Sequence, residues 1–201
     1  MFCLDLETAG LYPAEADGND FITCIGVASQ YGVRQFSAEA GLFRASPYEA
    51  ENLLLKRFIK TANDSDSIIS GQSFFTYNGI AFDLPFLQTR LLYHNFPEFD
   101  PINIFCDYEH YDLSLFSKYL NNNRYISKDE FCRKYGNLYI PSTLSGAYLS
   151  RIYKNQTVTD DEHIDMLQHN AIDLAATYKV ATKQSAYSDF KTFYEKVLSK
   201  N

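Results

Sequence analysis

Asp5 and Glu7 stand two residues apart in FCLDLET, a segment whose alternation reads as a strand, so their side chains leave one face. Two acids side by side repel unless an opposite charge compensates. Taken alone, a D-x-E pair is most simply a solvated strand face, and its company changes that reading. A third acid, Asp83, follows SFFTYN and an Asn78-Gly79 turn, and a fourth, Asp173, lies four residues after His169 within a long helical pattern. That spacing puts His169 and Asp173 on one helix face, where by itself the pair is only a weak surface contact. Asp83 precedes Leu-Pro, an arrangement that also caps helices. Carboxylates converging from separate elements are the donors that hold two hard cations about 4 Å apart, the geometry that clamps the attacking and leaving oxygens of phosphoryl transfer.

Such convergence needs a scaffold. Strands are predicted at 2–7, at 21–29, near 33–37 after the turn at Tyr31 and Gly32, and at 73–78. Ser46, Pro47 and Glu49 have capping-box spacing and open a helix, and DLPFLQTRLLYH reads as another, with Asp83 at its cap. A fifth strand is expected at 102–106 and a helix from about Asp112 to Leu120. The stretch from Asn121 to Pro141 reads as an irregular excursion with a short helical pattern around 129–134, followed by a long helix over 160–181 and a closing one in YSDFKTFYEKVL. Strands first, then alternation, then helices describe one mixed sheet with helices packed on it, in a single α/β domain over 1–201.

The net charge of -7, from 18 basic against 25 acidic residues, excludes a protein that coats nucleic acid by bulk electrostatics. It leaves room for a local site, because divalent cations on the acids would offset part of that charge. Cys3, Cys24, Cys106 and Cys132 form no C-x-x-C pair and read as reduced thiols. Acids appear by the fifth residue and no apolar run approaches the ~20 residues of a membrane span. A cytoplasmic protein with no membrane partner is expected.

FCLDLETAG at 2–10, TYNGIAFDLPFL at 76–87 and HNAID at 169–173 resemble the three motifs of the acid-dependent 3'-5' exonucleases of the ribonuclease-H-like fold, the DEDD superfamily. The middle motif is the most specific and is similar to the proofreading exonuclease domain of family B DNA polymerases and its stand-alone relatives. The resemblance implies a central five-stranded mixed sheet flanked by helices, its first three strands antiparallel. It implies metal-dependent hydrolysis of DNA or RNA from a 3' end, with single-stranded nucleic acid as partner and nucleoside monophosphates as product. Two divalent cations, Mg or Mn, would be held by Asp5, Glu7, Asp83 and Asp173, and Thr8, Asn78 and Phe82 would lie near the terminal nucleotide. The last motif departs from the common patterns: His169 stands at the spacing that tyrosine-type members give their tyrosine. One helical turn from Asp173, its imidazole would orient or deprotonate the attacking water.

Other candidates are weaker. In CDYEHYDL, which holds Asp107 and Asp112, Asp112 reads as the cap of the following helix, and Glu162, His163 and Asp165 suit a helix start without a metal. Lys118, Arg124, Lys128, Arg133 and Lys134, interleaved with Tyr119, Tyr125 and Phe131, form either a solvated face or a single-strand track with stacking rings. A non-catalytic nucleic-acid-binding scaffold and a structure-specific endonuclease are the alternatives to the exonuclease.

Overall fold

The run FITCIGVAS lacks polar alternation, the mark of a strand covered on both faces, and it forms β2 (Phe21–Ser29), buried throughout. The computed structural model describes residues 1–10, 20–62, 73–96, 109–141 and 144–198, the side chains of 184–187, 197 and 198 excepted. β2 is antiparallel to both β1 (Phe2–Ala9) and β3 (Gly32–Phe36). β4 (Ser73–Thr76) joins the other edge of β1 in parallel, β5 (Glu109–Asp112) joins β4 in parallel, and the order is β3-β2-β1-β4-β5. The mixed five-stranded sheet is thus as expected. The strand expected at 102–106 lies outside the described residues; the fifth strand of the sheet is the short, polar EHYD, which carries no β-branched signal.

The helices are α1 (Ala40–Ala45), α2 (Pro47–Ala62), α3 (Asp83–Tyr93), α4 (Leu113–Leu120), α5 (Lys128–Gly136), α6 (Gly146–Lys154), α7 (Asp160–Ala181) and α8 (Gln184–Leu198). α1 and α6 have no counterpart in the sequence reading. None of the described helices is long and apolar enough to cross a membrane.

Strand alternation divides the core in two. Phe2, Leu4 and Leu6 pack with Leu54, Leu55 and Phe58 of α2. Cys3 points the other way, into a cluster with Phe75, Phe131 of α5, Leu174 of α7 and Phe190 of α8. Asp5 and Glu7 share the parity of Cys3 and lie on the face that α7 covers. Gly26 is the register partner of Asp5, and a Cβ there would stand 2.1 Å from the Asn170 Oδ1 and 2.3 Å from the Leu174 Cδ1. A side chain at this point would lift α7 off the sheet beside the acids.

Candidate active site

β1, α3 and α7 bring the acids into a common electrostatic environment and bury them. Asp5 is 9% exposed, Asp83 4% and Asp173 7%. Asp83 is not spent on capping: the N-cap of α3 is Phe82, with no side-chain cap hydrogen bond. β4 pairs with β1 only as far as Cys3, and the N–H of Leu6 donates instead to Asp83 Oδ1 at 2.9 Å. The helix start therefore aims its carboxylate back at β1, between the two acids of that strand.

Burial sets the charge problem. It pushes the Asp83 carboxyl up to about 8, aided by the Asp5 charge and opposed by Lys128 and the Leu6 N–H. Burial, then Asp5 and Asp173, hold Glu7 well above the usual carboxylate range. Asp5 is raised too, by burial, with Lys128 acting against the shift.

The compensating cation is Lys128, which the sequence reading placed in the basic segment. Its Nζ donates to Asp5 Oδ1 at 2.7 Å and to Asp173 Oδ2 at 2.9 Å. Burial works against its charge, but the two carboxylates outweigh that and hold the ammonium well above its ordinary pKa. Lys128 is the first residue of α5, whose N-cap Ser127 accepts from the Glu130 N–H. Phe131 from the same segment is fully buried, so it belongs to the core and not to a stacking track. Arg124, Tyr119 and Tyr125 remain exposed, and Lys118 lies 6.0 Å from the Tyr125 ring centroid.

Asn170 is a site residue that sequence reasoning passed over. It is fully buried, its Nδ2 donates to Asp5 Oδ2 at 3.2 Å, and its Oδ1 accepts from Gln35 Nε2 at 3.0 Å and from Cys24 Sγ at 3.7 Å. With Oδ1 engaged by donors, Nδ2 has to face the carboxylate. Asp5 is thereby divided, one oxygen on an amide and the other on the ammonium. The clue in the sequence was a carboxamide inside a helix next to His169, on the turn facing Gly26.

His169 Nε2 is 3.8 Å from Asp173 Oδ2 and 4.0 Å from Glu7 Oε1, beyond direct hydrogen bonds and within reach through one water. Thr8 follows an irregularity in the β1–β2 register after Glu7, and its hydroxyl donates to the Gly10 carbonyl at 2.7 Å. Asn78 has φ of 70°, and the half-buried Phe82 ring lies tilted against Phe86 with centroids 5.6 Å apart. Asp112 caps α4 as expected, accepting from Ser114 N–H at 2.9 Å. It also accepts from the N–H groups of Asn78 at 2.9 Å and Ile80 at 3.0 Å, so it pins the loop that leads into Asp83. Glu162 completes a capping box with Thr159, and His163 Nδ1 meets the Tyr153 hydroxyl at 2.5 Å in the core. Asp107 lies outside the described residues.

Among the described residues no three His, Cys, Asp or Glu side chains stand close enough to hold a metal ion between them. The acids are arranged around an ammonium. Their chemistry nonetheless suits a hard divalent cation: the donors are carboxylate oxygens, and burial and mutual repulsion leave them short of positive charge even with Lys128 present.

The RNase_H_2 model of the RNase H superfamily matches residues 2–185. Among solved structures, the family B DNA polymerase from the archaeon Pyrobaculum calidifontis is similar, with a TM-score of 0.66 and 14% identity over 90% of this chain and 24% of that one. E. coli Exonuclease I in complex with a dT13 oligonucleotide gives a TM-score of 0.46 and 18% identity over 94% of this chain and 42% of that one. The chain thus spans about a quarter of the polymerase and less than half of the exonuclease. A comparison with curated proteins finds no match.

Proposed function

The chain belongs to the RNase H superfamily, and from that premise we propose that it is a divalent-cation-dependent 3'-5' exonuclease acting on single-stranded DNA or RNA. The observation that carries the reading is the buried acid cluster: Asp5 and Glu7 on one strand face, Asp83 turned back onto that strand at 2.9 Å from the Leu6 nitrogen, and Asp173 on the facing helix. Burying this many carboxylates with one ammonium is unfavourable for a structural role. Asp5, Glu7, Asp83 and Asp173 are the residues that would hold Mg or Mn. When bound, such cations lower the pKa of water and neutralise charge growing on the phosphoryl oxygens.

The chain's own groups do the rest. A water oxygen attacks the last phosphodiester phosphorus, the bond from phosphorus to the penultimate nucleotide's 3' oxygen breaks, that oxygen takes a proton from solvent, and a nucleoside monophosphate leaves. His169 Nε2, facing both Glu7 and Asp173, takes the proton of the attacking water. Asn170 holds Asp5 in one orientation. The loop from Asn78 to Phe82, pinned by Asp112, forms the wall against the terminal nucleotide. The hydroxyl of Thr8 donates to the Gly10 carbonyl, so towards substrate it serves only as an acceptor.

The test is digestion of 5'-labelled single-stranded DNA and RNA of one sequence with Mn, with Mg and with chelator, beside an Asp5→Ala control. A ladder shrinking from the 3' end, lost with chelator and in the variant, is expected. Internal cuts would replace the reading with an endonuclease, and binding without cleavage would replace it with a scaffold.

A further inference from the structure

Lys128 is a basic residue from a surface segment whose ammonium ends inside the acid cluster, at 2.7 Å from Asp5 Oδ1 and 2.9 Å from Asp173 Oδ2, with its side chain 17% exposed. We infer that Lys128 determines the metal affinity of the site: its ammonium and a divalent cation are alternative occupants of the seat between Asp5 and Asp173. This rests on the metal-dependent reading above and adds to it a resident competitor.

Distance makes the two exclusive. Oxygens that ligate Mg lie about 2.1 Å from the ion, whereas here they stand at hydrogen-bond distance from a nitrogen. Were Asp5 and Asp173 both to ligate one cation, their oxygens would have to come closer to it than they now stand to Nζ, and the ammonium would have to leave. Charge gives the same result, since a doubly charged ion bound to the carboxylates repels the ammonium and offsets the attraction that now holds it.

Exchange needs no unfolding. α5 is anchored by the buried Phe131 and Cys132 and by the Ser127 cap, none of which depends on Nζ. A lysine side chain is a flexible four-carbon stem, so rotation about its own bonds withdraws the charge while the helix stays. The opposite side of Asp5 stays fixed meanwhile, because Asn170 keeps Oδ2 in place. The consequence is a site that is charge-compensated without metal and binds metal more weakly than its acids alone would.

Calorimetric titration of Mn and Mg into the wild type, Lys128→Met and Lys128→Arg tests this, together with acylation of surface amines read residue by residue by mass spectrometry. Lys128→Met should bind Mn about tenfold or more tightly than the wild type, since close charge pairs couple at that level, while Lys128→Arg stays near the wild type. In the wild type, the Lys128 amine should be shielded in chelator and acylated once Mn is bound, a change that a merely structural lysine would not show. Equal affinities with Lys128 shielded throughout would overturn the inference and leave the nuclease reading intact. Absence of metal binding in all three proteins would overturn both. Should Lys128→Met not fold, the wild-type acylation pattern decides alone.

Discussion

Replacing Asp83 by Asn should flatten the pH dependence of stability in the metal-free protein. The amide keeps an oxygen for the Leu6 N–H, which lies at 2.9 Å from the present carboxylate, so the local contact survives. What changes is the proton. The folded-state carboxyl is pushed up to about 8 by burial and by Asp5, against about 3.9 in an unfolded chain. Between these values the folded state keeps a proton that the unfolded state releases. The stabilising contribution is therefore complete below about pH 4 and is lost as pH climbs towards 8, at about 1.4 kcal/mol per unit. From pH 5 to 7 that amounts to about 3 kcal/mol, or roughly 5–10 °C in Tm for a chain of this size. Scanning calorimetry in chelator at half-unit steps should show a wild-type Tm that falls with pH and a variant that lacks this share of the fall. Adding Mn should remove most of the wild-type decline. Parallel wild-type and variant curves would refute the account of a repelled, proton-holding Asp83.

His169→Gln should lower the cleavage rate by about 10²-fold or more and remove one limb of the pH–rate profile; an unchanged profile would take the proton-transfer role away from it. Asp112→Ala leaves the N–H groups of Asn78 and Ile80 and the cap of α4 without an acceptor, and should lower stability by about 2 kcal/mol in a chemical denaturation series. Asn170→Asp places a further acid against Asp5, so its metal-free Tm should lie below that of the wild type, and by a larger margin at pH 8 than at pH 5. Arg124→Ala should weaken single-strand binding and reduce its salt slope by about 0.7, the value for one phosphate contact.

The strands near the site were legible because their signals are local. Two-residue periodicity placed Asp5 and Glu7 on one face, and turn chemistry at Asn78-Gly79 separated strand from helix. The three acidic segments were legible through their resemblance to a known family. What stayed hidden depends on distant partners. Nothing in KDEF says that Lys128 reaches two carboxylates rather than solvent, since the same capped helix start serves either purpose, and Phe131 looks like a stacking ring until the second core cluster is built around it. Asn170 carries meaning only once Gly26 has brought α7 down to the sheet. β5 escaped notice because a four-residue strand with Glu, His and Asp is held by its parallel neighbour and not by propensity.

The hairpin between β2 and β3 turns over at Gln30 and Tyr31, with Ser29 opposite Gly32 and Gly32 at φ of 113°. From that turn the pairing runs without interruption to Gly26 opposite Gln35, and Gly26 is in turn opposite Asp5. Asp5, Gly26 and Gln35 are thus one rung across three strands, and Gln35 is the residue whose amide engages Asn170. Because side chains alternate faces, a single residue inserted into or deleted from this exposed turn would present Arg34 or Phe36 in place of Gln35. The length of a solvent-facing hairpin loop is in this sense part of the acid cluster's specification, and chain-length variation there should be read as a change to the chemistry rather than to the surface.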